Sequence, residues 1–448
     1  MKSKLMLVLL ATFAATASWA EKTTYTLTPT TNGTVVIRFT NNYPLPNGIS
    51  TLEGRLGRKW TALQNFFTTQ TVGMVELPRP SGYNEYRLRA MSVVPGNAFP
   101  RLALGYGTIQ TVGGSGPAPS GTNLWRPEYE GANATNVVFS NPRAAVADDE
   151  GRIYVVERDS HAVSVIETNG TVRTAVGQPG TRGPGFLELG TGVEFPGDGL
   201  AQLDSPSGLY YQNGTLYILD AGNGRVLRYT YTNGAVSKLF SESPVFGSPT
   251  NIANGGGLWV SPNEAEAFYT DGTMLKHWRA SQLNNGFGGV NVEASGFVHL
   301  SDVKLDPRTG DPTAVDRGGN RLYRVRGPDR DFRLDPLAGN GLTRGFKVGP
   351  VANQALAGPS SLVYLPIGGY LLGLDEGARV AYVDVEDNAA TLVFGRPGAH
   401  AGDGSWFRRG GRKPKVSHVQ SITLAPNGDM IILEDGFVRR IKFLRAKP

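Results

Sequence analysis

Six polar residues recur at one position of a repeating segment, and they are the first candidates for ligand contact. Two histidines, His299 and His418, each precede one of these six by two residues. Hydroxyl, amide and guanidinium groups can hydrogen-bond a ligand or ordered water, so the set predicts a polar site in which no catalytic group is assigned. A water-filled channel without a specific ligand is the alternative. The six residues are Arg143, Ser207, Thr250, Ser301, Ser360 and Gln420.

A metal centre is not expected among these residues. A zinc site needs three or four converging nitrogen, sulfur or oxygen ligands. His299 and His418 lie in different repeats without a clear third ligand, and the chain contains no cysteine. The sequence therefore predicts no metal and no other cofactor, and the absence of cysteine excludes disulfides and a thiol nucleophile. His161, His277 and His400 are interpreted as surface or packing residues.

A second candidate surface is a basic segment within residues 404–415. Five positive charges in eight residues beside two aromatic rings could bind an anionic glycan, a phosphate or an acidic protein surface. A solvated loop is the alternative. The residues proposed for anion binding are Trp406, Arg408, Arg409, Arg412 and Lys413.

An acidic residue also recurs, at the end of the second strand of each repeat. Because it recurs in every unit, we expect an architectural role, in which the carboxylate accepts backbone N–H bonds and pairs with Arg225 or Arg321. A calcium-binding ring is the alternative. The residues are Glu157, Asp220, Asp271, Asp316, Asp375 and Glu434.

The elements that position these residues are predicted from the repeat itself. One unit runs from Asn141 to Gly177 and the next from Ser205 to Leu239, each with four short strands between turns. Further units begin near Pro249, Leu300, Pro359 and Val419, and the third is the most irregular. The 59 glycines and 29 prolines agree with many tight turns.

The repeat resembles the NHL repeat over about 340 residues. The residues that carry the resemblance are Asn223-Gly224-Arg225-Val226, Asn320-Arg321-Leu322, Gly197-Asp198-Gly199 and Ala401-Gly402-Asp403-Gly404. The resemblance implies an all-β fold in which four-stranded blades close into a propeller. It also implies that the first strand of each blade lines a central channel, with the polar ring at one mouth.

Ring closure can be predicted from the last unit, which ends without a fourth strand. A spare copy of that strand, residues 107–113, precedes the first unit and matches residues 170–176. We therefore predict that residues 107–113 complete the last blade of a six-bladed propeller and leave no free edge.

Two segments precede the propeller, which is predicted over residues 98–448. Residues 1–20 have the basic start, short apolar run and small residues at the end that are typical of a secretory signal peptide, and this predicts a secreted or periplasmic protein. Residues 21–97 resemble a fibronectin-III-like β-sandwich, on Trp60-Thr61-Ala62-Leu63 and Tyr86-Arg87-Leu88-Arg89-Ala90. We expect Trp60 to fill the sandwich core.

A non-catalytic binding or scaffold role is favoured, with the mouth or the loops contacting a protein or glycan partner. The alternative is a propeller enzyme, either a divalent-metal lactonase or hydrolase or a lyase. Zinc lyases that resemble this repeat have zinc-binding histidines at positions where this chain has the six polar residues. Lactonase-like propellers bind a central divalent ion through carboxylates, and on the first strands of this chain only Asp302 could supply one. Without Lys2 and Lys4 the charge is +4, from 42 basic and 38 acidic residues, so no nucleic-acid partner is expected. No segment after residue 20 is apolar enough to cross a bilayer, so no membrane span is expected. The oligomeric state is left open.

Overall fold

The computed structural model describes two compact units. One comprises Met1–Gly107, Pro366–Gly368 and Phe443–Pro448, and the other comprises Thr108–Leu365 and Gly369–Lys442. The residues described are 23–30, 34–41, 48–68, 72–78, 82–92, 102, 105–183, 201–242, 252, 255–284, 287–327, 332–341, 349–351, 354–376, 379–384, 389–394, 403–405 and 416–443. In these residues no helix is long and apolar enough to span a membrane. The predicted signal peptide lies outside them.

The first unit contains two three-stranded antiparallel sheets. One has the order β1-β2-β5 and the other β4-β3-β6. The strands are β1 (Thr23–Pro29), β2 (Thr34–Asn41), β3 (Gly48–Leu56), β4 (Lys59–Phe67), β5 (Val72–Pro78) and β6 (Glu85–Ser92). Val35, Ile37 and Phe39 share a buried face of β2, as their alternation predicted, and pack in one apolar cluster with Phe66 and Leu88.

Trp60 does not fill this core, and the prediction for it was wrong. The guanidinium carbon of Arg87 lies 4.1 Å from the centre of its ring instead. A register shift between Leu52 and Glu53 places an extra residue in β4 between Trp60 and Phe66. A bulge reverses the alternation of side chains, so Phe66 faces inward while Trp60 does not.

The second unit opens with β7 (Thr108–Gly113) and contains six antiparallel sheets of four or five strands among the described residues. The first sheet has β8 (Pro142–Ala147), β9 (Ile153–Glu157), β10 (Ala162–Ile166) and β11 (Val172–Gly177). The second has β12 (Gly208–Gln212), β13 (Thr215–Asp220), β14 (Arg225–Thr230) and β15 (Ala235–Ser241). Short 3-10 helices lie at Pro127–Tyr129, Ala134–Asn136 and Ala221–Asn223.

The next two sheets include the irregular unit. The third has β16 (Leu258–Val260), β17 (Glu266–Asp271), β18 (Met274–Asn284) and β19 (Phe287–Ser295). The fourth has β20 (Leu300–Leu305), β21 (Pro312–Asp316), β22 (Arg321–Arg326) and β23 (Arg333–Ala338). The first strand of the third unit thus begins at Leu258, later than its predicted start near Pro249.

The last two sheets each gain a short fifth strand. The fifth has β24 (Gly349–Pro350), β25 (Pro359–Tyr364), β26 (Tyr370–Leu374), β27 (Arg379–Asp384) and β28 (Ala389–Phe394). The sixth has β29 (Gly404–Ser405), β30 (Val419–Leu424), β31 (Met430–Glu434) and β32 (Phe437–Ile441), and it also includes β7.

The strand predicted to complete the last sheet does so. β7 pairs antiparallel with β32, placing Ile109 opposite Ile441 and Gln110 opposite Arg440. The carboxylate of Asp403 accepts hydrogen bonds from the backbone N–H and the hydroxyl of Thr111, at 2.7 and 2.9 Å. The aspartate of the Gly-Asp-Gly motif therefore holds the strand that joins the start of this unit to its end.

The first strands of the six sheets contact one another in a closed order: β8, β12, β16, β20, β25, β30 and β8 again. Side chains link neighbours within this circle. Asp302 accepts from the Leu362 N–H at 2.9 Å, and Thr423 donates to the Ala145 carbonyl at 2.9 Å. Apolar clusters fill the spaces between successive sheets, which explains why Ala162–Ile166 is buried on both faces.

The recurring acids are mostly architectural, as predicted. Glu157, Asp220, Asp316 and Glu434 each accept a backbone N–H from the segment that precedes the first strand of their own sheet. Asp220 also pairs with Arg225 at 2.7 Å.

The predicted pairing of the recurring acid with Arg321 was wrong. Arg321 donates to the Asn340 carbonyl and to Tyr323 Oη instead. The nearby Asp316 already accepts three backbone N–H bonds, from Val298, His299 and Gly319, so its oxygens are satisfied without an arginine.

Candidate functional site

A cavity of about 260 Å³ lies where the first strands begin. Its lining comes from five sheets and from the glycines that precede β16. Most of the lining side chains are polar or charged. The lining residues are Arg143, Arg158, Ser207, Gly255, Gly256, His299, Ser301, Arg317, Ser360, Asp375, His418, Gln420 and Asp435.

The structure brings most of the sequence-predicted residues together here. Of the eight residues in the predicted mouth set, all except Thr250 line this one cavity. Thr250 lies outside the described residues, and Gly255 and Gly256 represent the third sheet in the lining. Trp406, Arg408, Arg409, Arg412 and Lys413 also lie outside them, so the anion-binding segment stays a prediction.

The backbone conformation just before the first strands sets the direction of these side chains. Asn141, Ser205 and Gly358 have positive φ values of 52°, 47° and 59° two residues before Arg143, Ser207 and Ser360. A left-handed residue turns the chain sharply, so the next residues enter the strand at the cavity edge.

Two of the ring serines are used by the fold. Ser301 Oγ donates to the Pro359 carbonyl at 3.1 Å, and Ser360 Oγ donates to the Val419 carbonyl at 2.5 Å. Each bond joins the first strand of one sheet to that of the next. These two hydroxyls therefore connect neighbouring first strands by hydrogen bonds, and both serines also line the cavity.

Three other lining residues carry a buried polar atom without a hydrogen-bond partner in the described part of the protein. These atoms are Arg143 Nε, Ser207 Oγ and Gln420 Oε1. Burying a polar group without a partner costs about 1–3 kcal/mol. The lining thus includes three residues with a polar atom that forms no hydrogen bond within the described part of the protein.

A charged cluster lies on one side of the cavity. His418 Nδ1 lies 3.0 Å from Asp375 Oδ1, and Arg317 contacts the other oxygen of Asp375. Asp375 is buried, whereas the His418 side chain is 61% exposed. A buried carboxylate that holds Nδ1 fixes the orientation of an imidazole and leaves Nε2 for a ligand. Asp375 thus departs from the other recurring acids, because its partners come from two neighbouring sheets.

Sequence reasoning missed three charged residues of the lining. Arg158, Arg317 and Asp435 each follow directly after a recurring acid, at Glu157, Asp316 and Glu434. The strand that precedes each of them ends at the cavity edge, so the next residue turns into the mouth. Reading the position after each acid would have found all three.

The other described histidines have packing roles, as expected. His161 Nδ1 accepts the Ser205 N–H at 2.9 Å, and burial lowers the pKa of this imidazole. His277 is buried and stacks on Phe268 with ring centres 3.9 Å apart. Asp302 faces the next strand rather than the cavity. Within the described ranges, no group of three or more acidic or histidine side chains is placed to hold a metal ion.

Comparison with solved structures places this arrangement among known folds. A structural genomics protein of unknown function from Bacteroides thetaiotaomicron VPI-5482 matches with a TM-score of 0.55 and 12% identity, over 91% of this chain and 94% of that one. An auxiliary nutrient binding protein from the same organism has a TM-score of 0.51 and 11% identity, over 92% and 94%. One from Bacteroides ovatus ATCC 8483 has a TM-score of 0.51 and 13% identity, over 91% and 94%.

The chain is all-β and its structural neighbours are propeller-like. At these identities the likeness concerns the fold alone. No protein-family model matches the sequence, and no curated protein matches it.

Proposed function

We propose that this chain is an exported binding protein, built as a six-bladed NHL-like propeller behind a fibronectin-III-like sandwich. Each of the six sheets is taken as one blade, and β7 closes the ring through its pairing with β32. The signal-like residues 1–20 support a secreted or periplasmic location. The ligand is part of a glycan or protein partner, and it binds in the cavity at the mouth of the channel.

The observation that carries this proposal is the convergence of polar and charged side chains from five sheets on one cavity at the mouth. Arg143, Ser207 and Gln420 come from three of these sheets and line the same cavity. The name of two structural neighbours, auxiliary nutrient binding protein, agrees with a binding role, although their likeness supports only the fold.

Titration calorimetry against neutral and acidic oligosaccharides and short peptides tests the proposal. Gln420→Leu removes the unpartnered amide while keeping the volume, and it should weaken binding at least about tenfold. Gln110→Leu makes the same change at an exposed position of β7 and should leave binding unchanged. If a ligand binds both variants as tightly as the parent protein, the mouth is not its site.

Catalysis at the same mouth is the second candidate function, and the His418–Asp375 pair favours it. A positioned imidazole with a free Nε2 is a common general base. An enzyme would turn over one of the bound ligands, and His418→Gln would abolish turnover while retaining binding. If the parent protein binds a ligand without converting it, the catalytic proposal fails and the binding proposal stands.

A further inference from the structure

The mouth cavity contains two arginines that form no ion pair with a carboxylate among the described residues. Arg143, Arg158 and Arg317 line it, together with Asp375 and Asp435. Arg317 and His418 already occupy the two oxygens of Asp375. In the described part of the chain, neither Arg143 nor Arg158 forms an ion pair.

Several other arginines of this unit pair with carboxylates. Arg225 pairs with Asp220 at 2.7 Å, Arg152 with Asp148 at 2.5 Å, and Arg440 with Asp429 at 2.5 Å. Arg439, which is fully buried, pairs with Glu434. Buried arginines are rarely left unpaired, because desolvating a guanidinium is costly. Arg143 and Arg158 are part-buried and have no such pair among the described residues.

The surroundings of Arg143 favour the arrival of an anion. Burial lowers the pKa of this guanidinium, and the positive charges of Arg158 and Arg317 lower it further, while Asp159 and Asp375 oppose this. Its Nε is buried and has no protein partner. An oxyanion placed against the guanidinium of Arg143 would offset the repulsion between the arginines.

Hydroxyl-binding groups lie beside these arginines. Ser207, Gln420 and Asp435 belong to the same lining. Carboxylate and amide oxygens accept hydrogen bonds from sugar hydroxyls. A cavity of about 260 Å³ is at the small end of ligand sites and suits one sugar ring, free or at the end of a chain.

We propose that the mouth binds an acidic sugar, with Arg143 and Arg158 holding its oxyanion while Ser207, Gln420 and Asp435 contact its hydroxyls. This inference rests on the proposed binding function and narrows its ligand. A carboxylate and a phosphate share the required chemistry, so both forms are tested.

The experiment is titration calorimetry of the full chain with five probes. D-glucuronate and trigalacturonate carry the carboxylate, glucose 6-phosphate carries the phosphate, and D-glucose and maltotriose are neutral. At least one acidic probe should bind about tenfold or more tightly than its neutral counterpart. The class that binds more tightly, carboxylate sugars or the sugar phosphate, identifies the oxyanion that the site prefers.

Single replacements then test whether Arg143 and Arg158 bind the acidic group of the sugar. Arg143→Gln and Arg158→Gln should each weaken the acidic probe about tenfold or more and leave any neutral binding unchanged. Arg126→Gln, which removes an exposed arginine outside the cavity, is the matched control and should change nothing. Thermal unfolding of each variant shows whether it is folded.

The outcomes separate this inference from the proposed function. Suppose that neutral and acidic probes bind with equal affinity and that Gln420→Leu weakens both. This result would overturn the acidic-sugar inference and leave the binding function standing. Acidic binding that both arginine variants retain would also overturn the inference. If no probe and no ligand of the wider panel binds in a mouth-dependent way, both proposals fail.

Discussion

Asp375 Oδ1 lies 3.0 Å from Nδ1 of His418, so a side chain that follows the fifth sheet's second strand orients a side chain at the start of the sixth sheet. Asp375→Asn should loosen this imidazole and release Arg317. We expect the free energy of unfolding to fall by about 1–3 kcal/mol. Affinity for an acidic ligand should rise, because the variant loses a negative charge of the cavity and leaves Arg317 without its carboxylate partner. Denaturant unfolding and calorimetry measure the two effects. Unchanged affinity in a folded variant would show that the cluster only supports the structure.

Two serines of the ring give opposite predictions for stability. Ser360→Ala removes the bond to the Val419 carbonyl and should lower the free energy of unfolding by about 1 kcal/mol. Ser207→Ala removes a buried hydroxyl without a protein partner and should leave stability unchanged or raise it. Urea unfolding of both variants checks this. A matching loss of stability in both would contradict the assignment of Ser207 to the ligand.

The buried carboxyl of Glu157 predicts a pH dependence of stability. Burial raises the pKa of Glu157 from 4.5 to about 7, although Ser164 and the Ser140 N–H oppose the shift. Below pH 4.5 the group is protonated in both the folded and the unfolded state. Between pH 4.5 and 7 the unfolded state loses its proton first, so the folded state loses up to about 3 kcal/mol of relative stability.

Glu157→Gln removes this titration and isolates its effect. The stability of the parent protein relative to the variant should therefore decrease as pH rises from 4.5 to 8. Urea unfolding at several pH values measures this difference. Parallel stability profiles of the two proteins would contradict the raised pKa.

Closure of the second unit can be tested with a disulfide, because the chain has no cysteine of its own. Gln110 in β7 lies directly opposite Arg440 in β32. Replacing both with cysteine should give a disulfide under mild oxidation, and the free energy of unfolding of the oxidised variant should exceed that of its reduced form by roughly 2–4 kcal/mol. Gln110→Cys with Arg333→Cys, on β23 of another sheet, is the control and should stay reduced. Failure of the first pair to cross-link in a folded protein would contradict the pairing.

The repeat made much of this arrangement predictable. A recurring acid and a recurring polar residue were sufficient to bring Arg143, Ser207 and Gln420 to one cavity, because equivalent positions of stacked units meet at the same edge. The closing strand was predictable for the same reason, since the last unit lacked a strand that residues 107–113 duplicate.

Other features depended on local geometry that the sequence pattern does not show. Trp60 was misplaced because a bulge in β4 changes which face it occupies. The first strand of the third sheet has only three residues, so its start could not be aligned. Arg158, Arg317 and Asp435 were missed because the orientation of a residue after a strand depends on the turn. The contacts of Asp375 with Arg317 and His418 could not be predicted from its own repeat, because both partners belong to neighbouring sheets.

The most direct test of the central claim is a crystal structure of the protein with the tightest-binding acidic sugar. We expect ligand density in the cavity at the mouth, with the oxyanion within hydrogen-bonding distance of Arg143 and Arg158. We also expect Gln420 and Ser207 to contact the same molecule. Ligand density at another surface, with this cavity filled only by water, would contradict the claim.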